Sequence, residues 1–300
     1  MDMNVILESV PKFASFHHWF IKNKPGVFDV YRTSDGEYIG GITLTGQFVD
    51  NGPADSTDTA REAIRTAVEL EFANFQLRPE WYVSEYKVPV GATIEDLKTA
   101  YQMTMIGVAL MRARKGAVVD VDQHAEKLGR VFDWLESAGF YVGPSSTQYH
   151  DAFPGGNLFH HMTAIDYIKE LWTLPTFYTR VRIEDAVFVT SVHDWCKIDA
   201  YESYTKKLPN PKTGNWEPTT CYKYKDNLMP LGHGVSSMFL ASKFFRMSNA
   251  EALAIRWHMG AYRCVESETH EMYQAVEKYP LVLMLQFADQ LATTNYPAGV

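Results

Sequence analysis

Two hydrophobic periods run along the 300-residue chain and divide it near residue 118. Before that point the pattern is mixed. Val27–Thr33 and Tyr38–Val49 are rich in β-branched and aromatic residues, and they flank Ser34-Asp35-Gly36, a hairpin-turn signature. Ser9–Lys24 reads as a short helix and Glu80–Val90 as a strand. Thr59-x-x-Glu62 and Thr93-x-x-Asp96 have capping-box spacing and predict helices reaching about Phe75 and Arg114. Lys115–Asp120 reads as a link. Residues 1–118 are therefore expected to form a small α+β module.

From residue 119 the helical period dominates. Leu128, Val131, Phe132 and Leu135 form a stripe at i, i+3, i+4 and i+7, and Gly139 stands where a C-cap glycine would. Further helices are expected over His160–Trp172, Ile183–Trp195, Gly234–Phe245, Asn249–Met259, Ser267–Glu277 and Leu281–Thr293. Ser248-x-x-Glu251 is another capping box, and Pro280 suits a first helical position, where no N–H is needed. Pro209, Pro211 and Pro218 predict a long loop between helices. The expected fold class is α+β overall, with residues 119–300 all helical.

Composition narrows the function classes. Apolar residues are 46% and charged residues 21%, as in ordinary globular chains, and the longest apolar runs, such as Leu281–Leu285, are far too short to cross a membrane. The opening MDMNVILESVPKF has no basic segment before an apolar stretch, so no secretory signal is expected. Cys196, Cys221 and Cys264 have neither CxxC spacing nor an even count. They read as small buried hydrophobes in a reducing, cytoplasmic setting. The net charge of −8 leaves a nucleic-acid partner open but not favoured. The cluster Lys206, Lys207, Lys212, Lys223 and Lys225 reads as a solvated loop, with a lid over an anionic substrate as the alternative.

The chemistry lies in polar, metal-competent side chains set in apolar surroundings. Val187–Val192 runs directly into His193-Asp194-Trp195, and a buried carboxylate requires a cationic partner. His160 follows Gly155-Gly156, His233 sits in Leu231-Gly232-His233-Gly234, His258 follows Trp257, and Asp289 follows Ala288. Separate helices contributing one or two such groups each is how metal sites are built into helical cores. His17-His18 is a ligand pair by type alone, and His270 reads as solvated.

The order His, His-Asp, His, His, Asp resembles the HD superfamily of metal-dependent phosphohydrolases, across about residues 121–295. Gly155-Gly156-Asn157-Leu158-Phe159-His160 is similar to that family's Gly-Gly-Leu-x-x-His opening, Val192–Lys197 to its Leu-His-Asp-x-x-Lys motif, and Ala288-Asp289 to its final Ala-Asp. Gly139-Phe140-Tyr141 and Tyr149-His150 are similar to the lead-in of a phage- and bacteria-associated subgroup. Asn157 departs from the pattern, and His161 next to His160 stays as the alternative ligand.

The resemblance implies that His160, His193, Asp194 and Asp289 hold one divalent ion. It implies a second ion on His233 and His258 bridged by Asp194; otherwise those two histidines contact phosphate or move protons. Lys197 is read as a phosphate contact or an orienting group for Asp194. Arg256 is read as a phosphate clamp or a surface ion pair, and Tyr149 and His150 as the pocket mouth. Such ligands suit one or two ions of manganese, iron, cobalt, nickel, zinc or magnesium. The metal would activate water for attack on phosphorus.

The expected substrate is a small phosphorylated molecule, a nucleoside mono- or triphosphate above others. Trp172, Tyr178, Trp195, Tyr201, Tyr204, Trp216, Tyr222 and Tyr224 are available to stack a base or to pack the core. No GxxxxGK[ST] loop is present. A phosphodiesterase or nuclease, a di-iron oxygenase and a non-catalytic nucleotide sensor are the competing classes, and the oligomeric state is left open.

Overall fold

The computed structural model describes residues 19–21, 24–31, 38–43, 48–50, 65–66, 83–87, 91–115, 121–210, 213–262 and 265–294. The chain divides into two compact units, residues 1–82 with 106–133, and residues 83–105 with 134–300. That division crosses the chain three times, whereas the expected boundary at 118 crosses it once.

In the first unit, β1 (Trp19–Ile21), β2 (Lys24–Tyr31), β3 (Tyr38–Thr43) and β4 (Phe48–Asp50) form an antiparallel sheet in sequence order. Val27 faces Thr43 and Val30 faces Gly40 in the β2–β3 register, as the two β-branched runs predict. The Ser34-Asp35-Gly36 turn itself lies outside the described residues, as do His17, His18 and the Thr59-x-x-Glu62 box. The helix expected over Ser9–Lys24 is corrected at its end. Trp19–Ile21 is a strand that pairs with β2, because an apolar aromatic run beside an open sheet edge gains a ladder that a short helix cannot offer. Within the strand expected over Glu80–Val90, Val83 and Ser84 are helical.

The helices α1 (Ile94–Lys115) and α2 (Val121–Ser137) each contribute residues to both units. α1 starts at its capping box: the Asp96 amide donates to Thr93 Oγ1 at 3.2 Å and the Thr93 amide donates to Asp96 Oδ2 at 2.8 Å. Leu128, Val131, Phe132 and Leu135 are all buried on α2. Gly139 ends it at φ 75, with the Phe140 amide donating to Leu135 O at 2.9 Å.

The rest of the second unit follows as α3 (Gly156–Trp172), a short α4 (Pro175–Tyr178), α5 (Ile183–Val192), a 3-10 turn (Trp195–Lys197), α6 (His233–Ser242), α7 (Asn249–Trp257), α8 (Glu266–Lys278) and α9 (Pro280–Thr294). α9 packs against α3, α5, α7 and α8, so the Val282, Leu285 and Ala288 side of this last helix forms the centre of the core. The Ser248 capping box is formed, with the Ser248 amide donating to Glu251 Oε2 at 2.7 Å.

The expectation that residues 119–300 are all helical is corrected. Tyr201–Pro209 and Trp216–Tyr224 are strands, β5 and β6, that form a nine-rung antiparallel ribbon from Tyr201↔Tyr224 to Pro209↔Trp216. Both runs are rich in Tyr and Thr, which favour the extended chain. Pro209 and Pro218 mislead a reader of the sequence because they fit the open edges of a ribbon, where no ladder N–H is required. Most ribbon residues are exposed and none is fully buried.

The end of α5 is fixed from within. Tyr101 donates to Ser191 O at 2.7 Å and accepts from Trp195 Nε1 at 3.1 Å, with all three residues buried. Trp195 also packs edge-on against Trp134 at 5.2 Å. Tyr101→Phe strips a buried indole N–H and a buried carbonyl of their partner at once. It is expected to lower stability by about 1–3 kcal/mol, read as a lower urea midpoint.

Candidate metal centre

Four buried side chains from three helical segments converge. The ligand-capable atoms of His160, His193, Asp194 and Asp289 all lie within 4.8 Å of one another. His160 sits in the second turn of α3. His193 is the C-cap residue of α5, still helical, and Asp194 at φ −111 and ψ 25 leaves the helix. That break turns the carboxylate back toward its neighbour's imidazole. Asp289 comes from the buried side of α9.

The distances define a common focus. His160 Nε2 is 3.1 Å from Asp289 Oδ1 and 3.4 Å from Asp194 Oδ2. His193 Nε2 is 3.5 Å and 3.6 Å from the same two oxygens, and 3.3 Å from His160 Nε2. Ligands bound about 2.0–2.1 Å from one tetrahedral ion lie about 3.3–3.4 Å apart, so these spacings fit one cation. His193 Nδ1 meets Thr190 O at 2.7 Å, and the tautomer this selects leaves the Nε2 lone pair facing the focus. The donors are therefore of the right kind, number and spacing for a divalent ion.

Without a metal, protons and a lysine balance the charge. Burial opposes ionisation of Asp194, but Lys197 and the surrounding imidazoles hold it well below the usual carboxylate range. Asp289 is held low in the same way, by His160 and His193 against the effect of burial. Burial would depress His160, yet its contacts with Asp194 and Asp289 prevail and raise it to about 9. Lys197 Nζ lies 2.6 Å from Asp194 Oδ2 and donates to Ser145 Oγ at 3.0 Å, which makes it a buried counter-charge at the focus.

Two further histidines approach Asp194. His258, the C-cap residue of α7, places Nε2 3.4 Å from Asp194 Oδ1, and its Nδ1 meets Ile255 O at 2.8 Å. His233 opens α6, and its ligand-capable atom lies within 4.8 Å of those of Asp194 and Cys196. Gly234 allows this approach, because a Cβ there would fall 2.0 Å from Arg256 O. Gly156 does the same for the loop before α3, where a Cβ would fall 2.0 Å from Asp151 O.

The remaining expected site residues are placed as follows. His161 lies outside the ligand group: its Nδ1 meets Asn157 O at 2.8 Å, and its ring packs on Phe140 at 5.0 Å and on His193 at 4.9 Å. His160 is thus the member of the pair in the cluster. Arg256 pairs with Glu268 at 3.0 Å and lies over Trp257 at 4.3 Å, the surface-pair arrangement. His150 stacks 5.1 Å from His160; burial, then the charges of Lys197 and His160, lower it to about 4. Tyr149 is exposed, and His270 lies on an exposed helix face beside Gln274.

Three residues escaped sequence reasoning. Asp151, at φ 51, sets Oδ2 3.8 Å from His160 Nδ1. Ser145 holds Lys197, and Cys196 puts Sγ 3.8 Å from Asp194 Oδ1. Only Cys196, two residues beyond the His-Asp pair, carries a signal in the sequence. Of the aromatic residues, Trp195 is core, while Tyr201, Tyr204, Trp216, Tyr222 and Tyr224 lie on the ribbon.

The chain matches no protein-family model, no curated protein and no solved structure. No helix among the described residues is long and apolar enough to cross a membrane.

Two outcomes test the centre. His160→Ala is expected to lose bound divalent metal, while His161→Phe keeps it, as measured by metal analysis of the purified proteins. Metal binding near neutral pH is expected to release roughly one proton per ion. Apparent affinity should therefore rise as pH approaches about 9, where His160 loses its own proton.

Proposed function

We propose that the helical unit is a metal-dependent phosphohydrolase that acts on a phosphate ester or anhydride, a nucleotide above others. The observation that carries this is the buried meeting of His160, His193, Asp194 and Asp289 around one focus, with Lys197 bonded to the same carboxylate. The HD-like motif order of the sequence agrees with the donor set but rests on resemblance.

His160, His193, Asp194 and Asp289 would hold one divalent ion, while His258 lies 3.4 Å from the far oxygen of Asp194 and His233 clusters with Asp194 and Cys196, donors for another. When bound, the metal supplies a more acidic water and neutralises charge growing on phosphoryl oxygens. The chain's own groups do the rest. Asp194 and Asp289 bring two negative charges to a site that excludes bulk water. Metal binding would relieve Asp194 of its need for Lys197. The ammonium, held at Ser145 Oγ, would then be free to meet a phosphate oxygen. His150, half-buried beside His160 and neutral at physiological pH, is placed to accept a proton, as a general base would, rather than to donate one. Arg256, committed to Glu268, has no part in this reading.

A second reading, cleavage of phosphodiesters in single strands, is favoured by one feature, the exposed ribbon. Tyr201, Tyr222, Tyr224 and Trp216 share one of its faces with Lys207, a combination suited to stacked bases and phosphates.

Asp194→Ala is expected to lose both bound metal and hydrolysis while far-ultraviolet circular dichroism stays native. Retained metal and activity would refute the assignment. A manganese-supplemented screen of nucleoside mono- and triphosphates, cyclic nucleotides and single-stranded oligonucleotides, read by phosphate release and chromatography, separates the two readings.

A further inference from the structure

We propose that Asp151 is a positioning residue: its carboxylate stands behind His160, accepts the proton on Nδ1 and so aims Nε2 at the metal focus. The inference rests on the metal-centre reading above and deepens it.

Two buried groups face each other here. Asp151 Oδ2 lies 3.8 Å from His160 Nδ1, with the Asp151 side chain 8% exposed and His160 fully buried. His160 Nδ1 has no hydrogen-bond partner, and among the described residues no other side chain comes within ion-pair range of the Asp151 carboxylate. The rings of His193 and His258 back instead onto the carbonyls of Thr190 and Ile255. Of the three imidazoles beside Asp194, His160 alone has an anion behind it.

This arrangement does not turn on the charge of His160. A proton sits on Nδ1 in the imidazolium, and equally in a neutral ring whose Nε2 lone pair meets a cation. The 3.8 Å separation is an ion-pair distance, longer than a hydrogen bond. About 1 Å of movement brings it to the ~2.8 Å of a charge-assisted bond.

The backbone holds Asp151 at this place. Its φ of 51 is uncommon outside glycine, and such a conformation persists only where the surroundings enforce it. Two contacts do so. The Ser145 amide donates to Asp151 O at 3.0 Å. Gly156 packs on the same carbonyl, where a Cβ would fall 2.0 Å away. Ser145 is itself buried, with Oγ accepting from Lys197 Nζ at 3.0 Å and its carbonyl accepting from Tyr201 Oη at 3.1 Å. The loop that carries Asp151 is therefore bonded to the lysine that holds Asp194. Gly156 also opens α3, the helix of His160, so one short stretch of chain sets both partners.

An anion behind a ligating imidazole fixes the ring and raises its basicity, and losing such a partner weakens metal binding about 10–100-fold. The test is calorimetric titration of zinc into the metal-stripped full chain. Asp151→Asn keeps a side chain that tolerates φ 51 and an acceptor oxygen, and removes only the charge. It is expected to weaken the first zinc equivalent about 10–100-fold while cooperative thermal unfolding is retained. Proton–nitrogen NMR of the zinc-loaded chain adds a signature that a packing role would not move. The Nδ1 proton of His160 is expected far downfield in the wild type and shifted upfield in Asp151→Asn. Equal zinc affinity, or a ring proton that does not shift, overturns the positioning role and leaves the metal centre standing. A wild-type chain that takes up no zinc overturns both. If Asp151→Asn does not fold, Asp151→Gly, whose backbone suits φ 51, decides by the same affinity and the same proton.

Discussion

Two buried carboxylates organise the second unit. Asp194 and Asp289 approach the same pair of imidazoles, and neither is appreciably exposed. Charges so placed are tolerated only when matched. In the metal-free chain the match is made by Lys197 and by a proton on His160. Both would be replaceable: a divalent ion on the same donors would displace the proton and free the ammonium, exchanging one set of positive charge for another.

The architecture supports that exchange through helix ends. The cluster is reached by the start of α3, the end of α5 and the buried side of α9, with the start of α6 and the end of α7 alongside. Helix ends can place backbone carbonyls beside imidazoles. Thr190 and Ile255 do this for His193 and His258, fixing which nitrogen faces inward. Glycine contributes where backbone must touch backbone. At Gly156 and Gly234 any side chain would collide with a carbonyl, so those approaches, and the histidines beside them, depend on the missing Cβ. The anchor behind α5, Tyr101 with Trp195, holds the turn from which Asp194 and Lys197 project.

Much of the helical unit was legible from periodicity and capping. The α2 stripe, the boxes at Thr93 and Ser248 and the start of α9 at Pro280 all rest on contacts within a few residues, which a linear pattern encodes. The histidines and aspartates of the centre were legible by type, since polar groups in apolar runs demand a partner. The ribbon was not. Its prolines look the same in a loop and on an open strand edge, and only pairing distinguishes the two. Arg256 read equally well as a phosphate clamp or an ion pair, because Glu268 approaches it only once α7 and α8 are packed.

By itself the amino-acid sequence determined most helices of the second unit, the capped starts above all, and which side chains require burial with a counter-charge, because propensity, capping and hydrophobic spacing act over one or two turns. Only the tertiary structure decided that His160 rather than His161 faces the carboxylates, that Asp194 divides its two oxygens between two sets of donors, and that Cys196 stands beside the second set. Those outcomes turn on angles about a helix axis and on distances between residues far apart in the chain. Packing sets both, and no local pattern records them.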